Sequence, residues 1–147
     1  IDRYNGFRNV MKDHRNWKIT RSQTGNFTSS EGKMVMEAFL KADRNIDVLY
    51  AHNDQMALGA IQAIKEAGLK PGKDIIIVGI DAVKGAFEAM VAGEMNCSVE
   101  CSPLLGPQAV QAVRDLRDGK KLPARIWTIE GIFDQTTAAA ALPTRQY

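Results

Sequence analysis

The sequence predicts an α/β fold, a parallel sheet between helices in three αβα layers. Short apolar strands alternate with helices of roughly ten to sixteen residues, which calls for parallel strands joined by crossover helices. The stretch Asp74–Ile80 is almost entirely β-branched, as in a strand covered on both faces. The 147 residues are 45% hydrophobic and 24% charged, enough for one core but not for two full-sized domains.

The elements follow in order. Residues 3–12 form a helix with Phe7, Val10 and Met11 on one face, and 17–22 alternate as a strand. Asn26–Glu31 supplies a hydroxyl cap with an acid shortly after it, opening a helix that carries Val35, Phe39 and Ala42, with Met36 and Leu40 beside them. Residues 46–51 form a short strand. Asn53-Asp54 caps a helix with Met56, Ala60, Ala63, Ile64 and Ala67 on one stripe, stopped by Gly68. Lys70–Lys73 turns into the strand 74–80, and the helix 82–92 directs Phe87, Met90 and Val91 inward. A strand at 95–101, a helix at 103–118 with Ala109, Val113 and Leu116 on one face, and a last strand at 126–129 complete the series. From Thr136 onward the alanine run reads as a tail.

Charge and motifs exclude several classes. Nineteen Lys+Arg against seventeen Asp+Glu leave +2, with no basic block that would suit nucleic acid or an anionic membrane. The longest strongly apolar run, Ile75–Val78, is far too short to span a bilayer, and no charged-then-apolar leader opens the chain, as would hold for a mature exported protein. Cys97 and Cys101, if on a strand, stand roughly 13 Å apart, beyond the reach of about 7 Å for a disulfide. No G-x-S-x-G, H-E-x-x-H or G-x-G-x-x-G after a strand is present, and the histidines are only His14 and His52. Residues 68–74 mimic a phosphate loop but are one residue short, end in Asp, and follow a helix instead of preceding one. No enzyme, metal or cofactor chemistry is therefore expected.

Parallel sheets place ligands at the carboxyl ends of their strands. Two sets of polar residues end strands here: Asn53-Asp54 after Leu49–His52, and Asp81 after Ile77–Ile80. An amide that donates and accepts, beside an accepting carboxylate, suits a neutral polyhydroxylated ligand. Both sets also read as helix caps, and His52 as strand-end packing.

The segments His52–Ala60, Gly68–Asp74 and Ile77–Asp81 together resemble the periplasmic sugar-binding proteins of bacterial ABC importers, of the ribose and galactose type. Ile1-Asp2-Arg3 with Gly6-Phe7, and Arg21–Thr28, are most similar to the galactofuranose-binding branch. The resemblance runs to about Gly119. It implies the second lobe of a two-lobed type I periplasmic-binding-protein fold that captures a monosaccharide, galactofuranose or a similar hexose or pentose, and delivers it to a membrane permease. Carried over by position, Arg3, Asn53 and Asp81 hydrogen-bond the sugar hydroxyls and Phe27 lies against the ring. Cys101 stands where ribose-type members have Gln, so ribose itself fits poorly.

The resemblance further implies a fragment: residues 1–101 as part of the sugar-binding lobe, 102–124 as a crossover helix for an absent first lobe, and 125–147 as a return strand and tail. The crossover helix would then expose its apolar face over 103–118 or pair it with another copy. The implied location is periplasmic, or lipid-anchored outside the cell in a Gram-positive source. The alternative is the effector domain of a sugar-responsive LacI-type repressor, which would need a DNA-binding segment that these residues do not supply.

Overall fold

A computed structural model describes residues 1–147. Its sheet has four strands in the order β1 (Val48–Tyr50), β2 (Ile76–Asp81), β3 (Cys97–Glu100) and β4 (Ile132–Asp134). The first three are parallel, with Tyr50 opposite Val78 and Asp81 opposite Glu100. Helices α1 (Asp2–Met11), α2 (Ser29–Ala42), α3 (Asp54–Glu66), α4 (Lys84–Val91) and α5 (Gly106–Arg117) fill the connections, and a short α6 (Ala138–Ala141) follows β4.

Register shows how the layers lie. Paired residues of a parallel sheet point to one face, so Tyr50, Val78 and their neighbours Val48 and Ile76 share a face. Phe7 of α1 stacks on Tyr50 with ring centroids 4.3 Å apart, which puts α1 on that side. Ile75 and Ile77, of opposite parity, are buried in one core with Met36, Ile64 and Phe87 from α2, α3 and α4. The α1 side is thinner, and Ile76 there remains 39% exposed.

The capping signals sit where the sequence put them. Thr28 Oγ1 accepts the Glu31 N–H, and Asn53 Oδ1 accepts the Met56 N–H at 3.0 Å. Gly68 ends the α3 region at φ +75°. The α2–α3 contact is close because Gly32 and Gly59 face it: a Cβ at Gly59 would fall 1.9 Å from the Ser29 carbonyl oxygen.

Four expectations are corrected. Residues 17–22 form no strand and join no ladder of the sheet; with Phe7, Met11 and Tyr50 they line a groove of about 430 Å³ beside β1. A strand is made by hydrogen bonds to a neighbouring strand, and these residues have no such partner. Val91 is exposed, not inward. The last strand is not 126–129, where Ile129 is fully exposed, but Ile132–Asp134, and it runs antiparallel to β3. The sheet is therefore mixed.

The fourth correction concerns the C-terminal residues, which are part of the fold. Ala138 is buried against α4, small enough for close approach. Arg145 lies over Phe87 and Phe133 at 4.9 and 4.8 Å and pairs with Glu100 Oε1 at 2.7 Å. Tyr147 Oη donates to the same Glu100 oxygen, and the Lys84 N–H donates to the Tyr147 carbonyl. Burial pushes Glu100 up, but Arg145, the Gly131 N–H and Tyr147 outweigh it and hold the carboxyl below its ordinary range. α5 has no buried residue, and Ala109, Val113 and Leu116 face outward.

Candidate functional site

At the carboxyl end of β2 the chain makes an uncommon turn. Asp81 and Ala82 take φ of 115° and 58°, conformations that side-chain-bearing residues seldom adopt. Each costs on the order of 1–3 kcal/mol and survives only where the surroundings impose it. The Asp81 side chain does not cap α4, whose N-cap is Val83 without a side-chain bond. Instead its carboxylate receives Arg3.

Arg3 reaches Asp81 from the first turn of α1. Its Nη2 donates to Asp81 Oδ1 at 2.7 Å, and its Nη1 donates to the His52 carbonyl at the end of β1. Tyr50 Oη donates to the Arg3 carbonyl. The pair is part-buried, with side chains 30% and 27% exposed. Burial works against the Arg3 charge, but Asp81, with a smaller contribution from Cys101, overcomes it and leaves the guanidinium above its ordinary value.

Asn53 follows His52 and is 5% exposed. Its Oδ1 caps α3 and its Nδ2 donates to the Phe27 carbonyl at 3.2 Å. The other Nδ2 hydrogen has no partner within the protein. Phe27 itself has φ 60° and a side chain lifted out of the core, 62% exposed. Asp81, Arg3, the His52 carbonyl, Asn53 and the Phe27 carbonyl form one connected chain at the strand ends. Arg3, Asn53 and Asp81 belong to it through their side chains, and Phe27 through its backbone carbonyl alone.

Asp54 behaves differently from its neighbour. It is fully buried, accepting the Ser98 hydroxyl at 2.8 and 2.9 Å and the Val83 N–H at 3.0 Å. Burial raises its carboxyl to about 6, although these hydrogen bonds pull the other way. His52 is half-buried, edge-on to Tyr4 and Tyr50, and burial together with nearby positive charge lowers its imidazole. Its packing role agrees with the sequence reading. Tyr50, which anchors Arg3, carried no signal in the sequence beyond its place in a strand.

A group that donates in a plane (Arg3), one that accepts (Asp81), an amide and an exposed aromatic ring together match the edge and face of a small polyol. A sequence profile of the periplasmic binding protein domain matches residues 1–121. The chain belongs to the periplasmic binding protein family. It is 50% identical over 129 residues to the galactofuranose-binding protein YtfQ of Escherichia coli, covering 86% of this chain and 41% of that protein. Among solved structures it superposes with a TM-score of 0.91, at 50% identity, on the arabinose-transporter binding protein of Shewanella sp. ANA-3 bound to α- and β-L-arabinofuranose. That match covers 99% of this chain and 49% of the other. A Mycobacterium smegmatis protein in complex with β-D-fucofuranose gives a TM-score of 0.92 at 49% identity, covering 99% and 48%. The chain therefore spans about half the length of the relatives it matches. The similarity reaches through the C-terminal residues, in keeping with their packing.

Proposed function

We propose that this chain is one lobe of a periplasmic substrate-binding protein of an ABC importer, and that the ligand is a monosaccharide in its furanose form. The observation that carries the reading is the Arg3–Asp81 pair at the strand ends, where Arg3 also holds the His52 carbonyl and Asp81 Oδ2 is left without a hydrogen-bond partner. The furanose form is supported by the relatives: three different sugars named for them (galactofuranose, arabinofuranose and fucofuranose) share the five-membered ring. The mechanism involves no covalent step. Arg3 donates to ring hydroxyls, Asp81 and Asn53 accept and donate around them, and a second lobe closes the cleft and excludes water. The liganded protein then docks on a membrane permease. The repressor alternative is disfavoured, because the matched relatives are binding proteins of importers.

Calorimetry on the full-length protein with L-arabinose, D-galactose, D-fructose and D-ribose, combined with NMR of the bound sugar, tests the proposal. Heat of binding for at least one sugar, with furanose signals in the bound state, is expected. No binding to any of the four, or capture of a pyranose, overturns it.

A further inference from the structure

Asp54 is a carboxylate without exposure and without a cationic partner, a costly state unless its hydrogen bonds serve something. It is not the cap of α3, since Asn53 fills that place. Ser98, equally buried on β3, gives its hydroxyl hydrogen to Asp54 and accepts the Ala82 N–H at 3.0 Å. Asp54 accepts the next amide, that of Val83. The two amides that follow Asp81 are thus fastened to side chains from α3 and β3, at the one place in β2 where the backbone is left-handed. Gly79 makes room for this arrangement, because a Cβ there would stand 2.2 Å from Asp54 Oδ1.

We infer that Ser98 and Asp54 are positioning residues for the sugar site: by holding the Ala82 and Val83 amides they impose the turn that aims the Asp81 carboxylate at Arg3 and at the ligand. Neither side chain touches the ligand, for both are sealed beneath the turn. Without Ser98 the Ala82 amide loses its acceptor, the turn relaxes toward ordinary φ values, and the Asp81 carboxylate swings with it. The inference rests on the function proposed above.

A double-mutant cycle in the full-length protein tests it, with L-arabinose and D-galactose as calorimetric probes. Ser98→Ala is expected to weaken binding at least tenfold. In an Asp81→Asn background, where the aimed group is already blunted, the same change is expected to alter affinity less than twofold. A residue that merely supports the fold would lower the melting temperature and multiply through both backgrounds alike. Should Ser98→Ala not fold, Ser98→Cys carries the same cycle, because the thiol nearly keeps the volume but is a poor donor and acceptor. Binding unchanged by these substitutions, or equal losses in the two backgrounds, overturns the positioning role alone. A wild-type protein that binds none of L-arabinose, D-galactose, D-fructose and D-ribose overturns the role and the proposed function together.

Discussion

Arg3 and Asp81 lie 78 positions apart in the chain, yet their side chains meet at 2.7 Å. The contact joins the start of α1 to the end of β2 across the end of β1, so three separate elements must be in register before it forms. That dependence makes the pair a property of the fold, and its role toward a sugar is what the proposed function adds.

Asp81→Ala in the full-length protein should therefore weaken sugar binding far more than it weakens folding. A part-exposed ion pair is worth at most about 1 kcal/mol of stability. Charged hydrogen bonds to a ligand are worth about 1.5–3 kcal/mol, which corresponds to roughly a ten- to hundredfold loss of affinity. Calorimetry and a melting curve on the same sample separate the two effects.

The buried Asp54 carboxyl predicts an unusual pH trend. Its value of about 6 in the folded protein, against 3.8 for the unmodified group, means that the folded state binds more protons than the unfolded state between those limits. Its contribution to stability is then greatest at low pH and is lost as pH rises through about 6, by about 3 kcal/mol in all. Glu100, held below its ordinary range, works in the opposite sense. The Asp54 share is isolated by comparing wild type with Asp54→Asn in urea at pH 4.5 and 7.5. The variant should lose less stability than wild type over that interval, and an identical change in both would refute the trend.

Much of this was legible in the sequence, and the failures have physical causes. α3 was readable because a cap, an apolar stripe and a stop glycine all agree, each acting within one helix. Asp81 was readable from its place at a strand end, but its partner Arg3 came only with the family resemblance, since nothing local joins residues so distant. Asn53 and Asp54 both fit a cap, and only the tertiary fold decides that one caps and the other turns inward to Ser98. Residues 17–22 have strand propensity without a neighbour to pair with. β4 is three residues long and gains its order from β3. The alanine run lacks any periodic signal, and its anchors, Arg145 and Tyr147, are polar residues that look like surface.

Those anchors lead to a further expectation. Arg145→Ala leaves Glu100 part-buried without its cation and strips the guanidinium from Phe87 and Phe133. Removing one partner of a buried pair costs on the order of 3 kcal/mol. Denaturation in urea should show a loss of that size, and a loss under about 0.5 kcal/mol, the range of ordinary surface changes, would return these residues to the status of a tail.

Gly59 sets two effects against each other. Alanine in the middle of a helix is favoured over glycine by about 1 kcal/mol, so a helix considered alone gains from Gly59→Ala. Here the new methyl group would stand 1.9 Å from the Ser29 carbonyl oxygen and 2.9 Å from the Lys33 amide nitrogen, both backbone atoms of the α2 segment. Backbone cannot rotate aside as a side chain can, so α2 must shift away from α3, and overpacking of this kind costs about 1–3 kcal/mol. The clash should win, since backbone lies on its far side, with net destabilisation in urea of up to about 2 kcal/mol. Because Thr28 and the Phe27 carbonyl precede α2 directly, the same shift should pull on the Asn53–Phe27 hydrogen bond. Sugar affinity in the full-length protein is then expected to fall along with stability. A variant that is more stable than wild type would show that the two helices are not in fixed contact at this point.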